Sequence, residues 1–272
     1  MGMLKIPLVL TLALLFAAVS ACQSNKTEAP SRQGNTTQTN TAGTSANISA
    51  EQKVTINSPD GLRIVGTLYP ADKPNSPAVL LLHQWQSDRH SYDDFAKQMQ
   101  SKGFAVLSID GRGFGESTRA ADGMAVPAER SDSAVKTMLG DVDAAFEFLS
   151  RQKNVDPARV GIVGASYGSS LAIMYAAGDP KVKAVALLSP GLNYFGNMQT
   201  EPAVKKYGDR PLLLVAANDD KESADSVNQL KNASANAKIE SKIYDKGGHG
   251  TSLLNAGLGL DDLLARFLAK SL

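Results

Sequence analysis

The stretch Val160-Gly161-Ile162-Val163-Gly164-Ala165-Ser166-Tyr167-Gly168-Ser169-Ser170 places a serine where an apolar strand passes into a helix rich in small residues. It contains the pattern Gly-x-Ser-x-Gly, centred on Ser166. Gly164 and Gly168 remove the side chains that would collide when strand and helix approach this closely. The hydroxyl then lies at a helix N-terminus, where peptide dipoles favour developing negative charge. The stretch therefore predicts a nucleophilic serine, and a glycine-rich turn without chemistry is the alternative.

Apolar strands alternate with amphipathic helices on both sides of this turn, from about residue 54 onward. This alternation predicts an α/β fold: an eight-stranded, mostly parallel sheet with helices on both faces and right-handed connections. An opening hairpin would add antiparallel strands at one edge. The predicted strands cover residues 54–56, 62–69, 78–82, 105–109, 160–163, 182–188, 212–216 and 238–244. The predicted helices cover residues 92–101, 135–151, 169–177, 223–231 and 258–268, and the segments 111–133 and 190–210 are expected to be long loops.

A serine nucleophile needs a general base, and the sequence contains three histidines. His249 lies in Lys246-Gly247-Gly248-His249-Gly250, in the loop after the last predicted strand, where an imidazole could reach Ser166. His83 ends a buried strand and is expected to be structural. His90 is expected to be an exposed loop residue near the start of a helix.

An acidic residue must orient the histidine and stabilise the imidazolium. Asp219 and Asp220 follow the strand predicted over residues 212–216, so each of them could reach His249. The distance along the chain favours Asp220 as the acid and leaves Asp219 as the alternative. One aspartate of the pair is expected to be the N-cap of the following helix.

The chain order of Ser166, Asp220 and His249, each in the loop after a strand, resembles that of the α/β-hydrolase superfamily. The Gly-x-Ser-Tyr-Gly pattern is similar to that of its dienelactone-hydrolase-like and prolyl-oligopeptidase-like branches. The resemblance covers residues 54–272. It implies a serine hydrolase with the α/β-hydrolase fold, a Ser-His-Asp triad, and no metal or organic cofactor.

Two further motifs support the resemblance. Leu82-His83-Gln84-Trp85 resembles the His-Gly-x turn after the third strand, which implies that the N–H groups of Trp85 and Tyr167 form an oxyanion hole. Gln84 stands where glycine is usual, and its own N–H is the alternative donor. Residues 110–117, Asp-Gly-Arg-Gly-Phe-Gly-Glu-Ser, are similar to the turn after the fourth strand. No helix is predicted directly after them, which argues against a dinucleotide-binding loop.

The composition argues against several other classes of function. The 28 basic and 27 acidic residues nearly cancel, so no nucleic-acid partner is expected. A single cysteine excludes an internal disulfide framework and a cysteine-rich zinc site. Three histidines leave little room for a histidine-built centre, so no metal site is expected.

Residues 1–21 are predicted to be a signal peptide of the lipoprotein type. A basic residue precedes an apolar run over residues 6–19, which is shorter than the about 20 residues of a membrane-spanning helix. Val19-Ser20-Ala21-Cys22 resembles a bacterial lipobox, which implies acylation of Cys22 and a lipid anchor in the bacterial cell envelope. Gln23, in place of an aspartate, favours the outer membrane over the inner one. Ordinary signal cleavage before the cysteine, without acylation, is the alternative.

Residues 22–53 are rich in Thr, Ser, Asn and Gln, and such a segment cannot bury enough apolar surface to fold by itself. This segment is predicted to be a flexible tether, and residues 54–272 are predicted to be the catalytic domain. The predicted reaction is hydrolysis of a small or extended carboxylic ester through an acyl-enzyme. Short peptides as substrates, an acyltransferase, and a non-catalytic binding protein of the same fold are the alternatives.

Overall fold

A computed structural model describes residues 49–235 and 238–272. The predicted signal peptide, Cys22 and most of the predicted tether lie outside the described residues. In the described part of the chain, every helix is too short or too polar to cross a membrane.

The strands and helices alternate along the chain. The strands are β1 (Gln52–Asn57), β2 (Arg63–Tyr69), β3 (Ser76–Leu82), β4 (Ala105–Ile109), β5 (Val155–Ala165), β6 (Val182–Leu188), β7 (Asn193–Tyr194), β8 (Met198–Gln199), β9 (Leu212–Ala217) and β10 (Ile239–Tyr244). The helices are α1 (Asp93–Ser101), α2 (Asp132–Ser150), α3 (Tyr167–Gly178), α4 (Thr200–Tyr207), α5 (Lys221–Ala233) and α6 (Leu260–Ser271).

Eight of these strands form one sheet in the order β1-β2-β4-β3-β5-β6-β9-β10. The β1–β2 and β2–β4 pairs are antiparallel, and all the other pairs in the sheet are parallel. This architecture confirms the predicted fold class. The carboxyl ends of β3, β5, β6, β9 and β10 therefore face the same edge of the sheet, and their following loops can build one site.

Apolar side chains on the two faces of the sheet form two hydrophobic clusters. One cluster packs the sheet against α2, α3, α4 and α5, and the other packs it against α1 and α6. Strands β4 and β9 are buried along their whole length, as expected for inner strands that are covered on both faces.

The segment 190–210, which the sequence predicts to be a loop, contains the β7–β8 hairpin and helix α4. The helix forms because Ala203, Val204 and Tyr207 recur at helical spacing and bury one face. A proline in its first turn is compatible with a helix start, since the first N–H groups of a helix have no partner within it. The hairpin and the helix bring Tyr194 toward the carboxyl edge of the sheet.

The glycine-rich segment 110–117 folds around the carboxylate of Asp110. This carboxylate accepts hydrogen bonds from the N–H groups of Arg89 and Glu116, each at 2.8 Å, and pairs with the Arg89 guanidinium. A Cβ at Gly115 would lie 2.3 Å from Cγ of Asp110, so the backbone must pass without a side chain. The segment is therefore a structural turn built on a buried ion pair.

A second buried ion pair joins the same segment to α2. The Arg112 guanidinium contacts Asp141 at 2.7 Å and Asp60 at 2.7 Å, and the Arg112 and Asp141 side chains are only 8% and 5% exposed. Burial raises the pKa of the Asp141 carboxyl above its ordinary value, and the hydrogen bond from Arg112 opposes that rise. Removal of one partner would leave the other charge buried, so the pair fixes this segment against α2.

Candidate active site

Ser166 lies on the sharp turn between β5 and α3. Its backbone has φ 54° and ψ −125°, a conformation that residues other than glycine rarely adopt. A Cβ at Gly164 would lie 2.2 Å from the Gly168 carbonyl oxygen, and a Cβ at Gly168 would lie 2.5 Å from the His83 carbonyl oxygen. Neither position has room for a side chain, as predicted for both glycines. The turn packs directly against the end of β3.

His249 and Asp220 are in direct contact. The distance from His249 Nδ1 to Asp220 Oδ2 is 2.6 Å. Because an ionised carboxylate only accepts hydrogen bonds, Nδ1–H is the donor and Nε2 is left unprotonated. The Asp220 side chain is 15% exposed and the His249 side chain 44% exposed, so the carboxylate is shielded while the imidazole stays accessible. Asp220 occupies the N-cap position of α5, but its side chain does not cap the helix.

Asp219 contacts the backbone that precedes His249. Its carboxylate accepts hydrogen bonds from the N–H groups of Gly247 and Gly248, at distances of 3.1 to 3.3 Å. The bond from Gly247 is the largest cause that holds the pKa of Asp219 below its ordinary value. Of the two candidate acids, the structure therefore brings Asp220 to the imidazole and uses Asp219 to hold the glycines before it.

The end of β6 connects the Ser166 turn with the His249 loop. The Ser166 N–H donates to the Leu188 carbonyl oxygen at 2.8 Å. The next residue, Ser189, accepts at its Oγ a hydrogen bond of 2.9 Å from the Gly250 N–H. Leu188 thus contacts the backbone of Ser166, and its neighbour Ser189 contacts Gly250, the residue after His249. This connection places the hydroxyl and the imidazole at the same edge of the sheet.

Tyr194, on the β7–β8 hairpin, also lies at this site, although the sequence did not predict it there. Its phenol donates to the Ser189 carbonyl oxygen at 2.9 Å and lies near the Ser166 and Ser223 hydroxyls. Burial raises the pKa of Tyr194 to about 12. The adjacent aromatic residues Tyr194 and Phe195, followed by a glycine in a supposed loop, were the available signal.

His83 supports the turn after β3 from inside the protein, and its side chain is buried. Its Nδ1 is 2.6 Å from the Gln84 carbonyl oxygen, and its Nε2 accepts a hydrogen bond of 2.8 Å from the Gly111 N–H. Nδ1–H must therefore be the donor to Gln84. Burial lowers the pKa of His83, which keeps the ring neutral. Both nitrogens are occupied, so His83 is structural, as expected.

The candidate oxyanion donors are free of other hydrogen bonds. Within residues 49–235 and 238–272, the backbone N–H groups of Gln84, Trp85 and Tyr167 do not donate to another residue. Tyr167 begins α3, so its N–H is one of the unpaired donors of a helix N-terminus. Because Tyr167 directly follows Ser166, its N–H is available to an oxyanion formed beside the serine.

Half-buried aromatic side chains form a wall beside this turn. Trp85 packs edge-on against Phe114 and Phe195, with ring centroids 4.7 Å apart in each pair, and against Tyr167 at 5.4 Å. The Arg130 guanidinium lies 4.7 Å from the centroid of Trp85 and 4.8 Å from that of Phe195. Phe195 and Arg130 were not predicted from the sequence, because both lie in segments that were expected to be long loops.

Metal-ligating side chains are not clustered. The part of the chain that the structure describes has no group of three or more His, Cys, Asp or Glu side chains that could hold a metal ion.

The model of the dienelactone hydrolase family matches residues 64–253. The chain belongs to this family. The match runs from the second strand to the turn after His249, so it includes the candidate nucleophile, acid and base of this dienelactone hydrolase family member.

Two curated proteins are similar to this dienelactone hydrolase family member. An uncharacterised protein of Mycobacterium tuberculosis is 32% identical over 144 residues, which cover 53% of this chain and 47% of that protein. The thiohydrolase aneE of Aspergillus aculeatus is 30% identical over 132 residues, which cover 48% of this chain and 39% of that protein. The chain thus matches less than half the length of each of these relatives.

The solved structures confirm the α/β-hydrolase fold. The structure of the alpha/beta hydrolase GrgF from Penicillium is similar to this one with a TM-score of 0.68 at 15% sequence identity, and the match covers 82% of this chain and 99% of that one. A curated Penicillium protein of the same name is called a polyketide transferase. At this identity the likeness shows the fold alone.

Proposed function

We propose that this dienelactone hydrolase family member is a serine hydrolase that cleaves carboxylic esters through an acyl-enzyme on Ser166. The observation that carries the proposal is the 2.6 Å contact between His249 Nδ1 and Asp220 Oδ2, at the sheet edge where the Ser166 turn also lies. Family membership supports a hydrolase. The shielded carboxylate of Asp220, the accessible imidazole of His249 and the strained backbone of Ser166 support the finer assignment.

In the proposed reaction, Nε2 of His249 takes the Ser166 proton while Oγ forms a bond to the carbonyl carbon of the ester. The carbonyl oxygen becomes an oxyanion, which accepts hydrogen bonds from the Trp85 and Tyr167 N–H groups. Collapse of this intermediate breaks the bond to the alcohol oxygen, and His249 gives that oxygen the proton. His249 then takes a proton from water, and the water oxygen forms a bond to the acyl carbon. Collapse of this second intermediate breaks the bond to Ser166 Oγ, His249 returns the proton to that oxygen, and the acid is released.

Asp220 is proposed to have two roles in the reaction. Before the reaction it holds Nδ1–H, so that Nε2 carries the lone pair that accepts the proton. During the reaction its negative charge stabilises the imidazolium. The location of Ser166, Asp220 and His249 in loops at the carboxyl edge of the sheet supports these steps.

The proposed substrate is a small or extended ester. The β7–β8 hairpin and α4 occupy the segment 190–210 and pack onto the fold, so this segment does not form a separate cap. The aromatic wall beside Trp85 offers an apolar surface for one end of the substrate. Acyl transfer to another acceptor is the second candidate function, because a curated relative is named a polyketide transferase.

The test is covalent labelling by a fluorophosphonate probe, followed by peptide mapping. The wild-type protein should be labelled at Ser166, and Ser166→Ala should not be labelled. Ser101→Ala, which changes an exposed serine at the end of α1, is the matched control and should be labelled like the wild type. Absence of labelling in folded wild-type protein would refute the covalent scheme and favour a binding protein.

The products distinguish the candidate reactions. A chromogenic short-chain ester, the matching thioester and a short peptide amide should be offered separately to the wild type and to Ser166→Ala. We expect Ser166-dependent turnover of the ester. Appearance of the acyl group on an added alcohol or amine acceptor in place of the free acid, at unchanged release of the chromophore, would identify a transferase.

The proposal also places the protein in the bacterial cell envelope, with Cys22 acylated and the outer membrane favoured. The support is the sequence of residues 19–23 and the apolar run before it. Several acyl chains would anchor a protein firmly, since each buried methylene contributes about 0.8 kcal/mol. Cys22→Ala should move the protein from the membrane fraction to the soluble fraction, and membrane retention of this variant would contradict the anchor.

A further inference from the structure

Gln84 connects the turn after β3 with the loop that carries His249. Its Oε1 is 2.6 Å from the backbone nitrogen of Thr251 and 2.9 Å from Oγ1 of the same residue. A backbone N–H can only donate, so the amide atom at this contact must be the oxygen. Thr251 is buried, and these bonds satisfy both of its donors.

This side chain also approaches Gly250 closely, and a Cβ there would have to displace it. A Cβ at Gly250 would lie 2.1 Å from Gln84 Oε1, and Gly250 also has φ +62°, which favours glycine. Gln84 therefore packs against the residue that directly follows His249. A shorter side chain, or glycine, in the place of Gln84 would leave this contact open.

The His249 loop is held from both sides. Before the histidine, Asp219 accepts the N–H groups of Gly247 and Gly248. After it, Gln84 holds Thr251. Glycine-rich loops lose much backbone entropy when they are ordered, so fixed contacts on both sides are needed to hold the imidazole in one place.

The backbone of Gln84 orients the candidate oxyanion donor. Its carbonyl oxygen is bound by His83 Nδ1 at 2.6 Å. The structure contains no cis peptide bond among the described residues, and in a trans peptide the C=O and N–H groups point in opposite directions. The bond to His83 thus directs the Trp85 N–H away from the His83 ring.

We propose that Gln84 is a positioning residue that sets the distance and orientation between the oxyanion turn and His249. Through its backbone it orients the Trp85 N–H, and through its side chain it holds the base loop. The Gln84 side chain does not touch the reacting atoms, since its Oε1 contacts Thr251. Because this inference rests on the proposed function, its test must separate loss of the Gln84–Thr251 contact from absence of catalysis.

The test compares full-length variants whose residue 84 keeps or loses a side-chain oxygen that can accept hydrogen bonds from Thr251. Gln84→Met has a similar length and no amide oxygen, whereas Gln84→Glu keeps an accepting oxygen. Gln84→Met should lower kcat for the chromogenic ester by roughly 10- to 100-fold, because small displacements of a catalytic group have effects of this size. KM should change by less than about threefold, since the substrate surface is untouched. Gln84→Glu should recover most of the lost kcat.

Thr251 provides a milder matched pair, which remains informative if Gln84→Met does not fold. Thr251→Val removes the hydroxyl donor and keeps the N–H, whereas Thr251→Ser keeps both donors. We expect a several-fold lower kcat for Thr251→Val and nearly wild-type kcat for Thr251→Ser. Hydrogen exchange of the Thr251 amide should be faster in Gln84→Met than in the wild type, because the Thr251 N–H loses the Gln84 oxygen that accepts its hydrogen bond.

The outcomes are separable. If the wild type hydrolyses the ester and the folded Gln84→Met and Thr251→Val variants retain wild-type kcat, the positioning role is refuted and the proposed function stands. If kcat and KM change together in Gln84→Met, Gln84 acts on substrate binding and the positioning role is also refuted. If the wild type neither turns over the ester nor reacts with the fluorophosphonate, the proposed function itself fails, and the inference fails with it.

Discussion

Substitution of the two neighbouring aspartates should separate the acid from the loop support. Asp220→Asn removes the charge that faces His249 Nδ1 at 2.6 Å. With charge centres about 4 Å apart and an effective dielectric constant of about 20, the attraction on the imidazolium is about 4 kcal/mol. That energy corresponds to roughly a 10³-fold change in rate.

The asparagine also changes the tautomer. Its amide N–H can donate to Nδ1, which places the remaining proton on Nε2 and removes the lone pair that accepts the Ser166 proton. The two effects together predict a loss of roughly 10³- to 10⁴-fold in kcat/KM for Asp220→Asn.

Asp219→Asn is the matched control, because it makes the same chemical change one residue earlier. The Asp219 side chain is exposed, and an asparagine oxygen can still accept from Gly247 and Gly248. We therefore expect a loss of less than about tenfold in kcat/KM.

The assay is the rate of ester hydrolysis together with the rate of fluorophosphonate labelling, with thermal unfolding as the check on folding. Asp220→Asn should be slow in both reactions and as stable as the wild type within a few degrees. A larger loss in Asp219→Asn than in Asp220→Asn, or an Asp220→Asn variant within tenfold of the wild type, would refute the assignment of the acid.

Three further predictions concern stability. Gly168→Ala should lower the free energy of unfolding by about 1–3 kcal/mol, because its Cβ would lie 2.5 Å from a backbone oxygen. Gly178→Ala, in the same helix, has open space around the new Cβ and should be neutral or stabilising by up to about 1 kcal/mol. Thermal unfolding of both variants checks this prediction. Burial lowers the pKa of His83, so below about pH 6.5 the unfolded chain binds a proton that the native chain does not. The free energy of unfolding should therefore fall by about 1.4 kcal/mol per pH unit down to the native pKa, and His83→Gln should flatten this slope in urea titrations. Asp141→Ala should cost about 3 kcal/mol in urea unfolding, because it removes a buried partner of the Arg112 charge; a cost below about 1 kcal/mol would show that the remaining contacts suffice.

The order of strands and helices could be predicted from the sequence because the inner strands are continuous apolar runs and the helices show an apolar face. The segment 190–210 was the main failure. Strands β7 and β8 have two residues each and α4 has eight, so none of them produces a long periodic signal. Their conformation depends on packing against α3 and α5, which a local pattern does not contain.

The candidate site also contains some residues that a local sequence pattern predicts and others whose contacts depend on the folded structure. Ser166 and His249 could be selected as candidates because glycines surround them and each follows a strand. The choice between Asp219 and Asp220 could not be decided by spacing alone, since it depends on which carboxylate turns toward the loop after β10. The contact from Gln84 to Thr251 joins residues 167 positions apart, so no local pattern could have predicted it.

The backbone conformation of Ser166 lowers the stability of the folded protein, which affects how thermostable variants should be selected. A residue with a side chain at φ 54° costs on the order of 1–3 kcal/mol, which a glycine there would largely avoid. The larger unfolded-state entropy of glycine offsets only part of that gain. Selection for heat resistance alone would therefore favour loss of the hydroxyl, so thermostable variants should be screened for turnover in the same round.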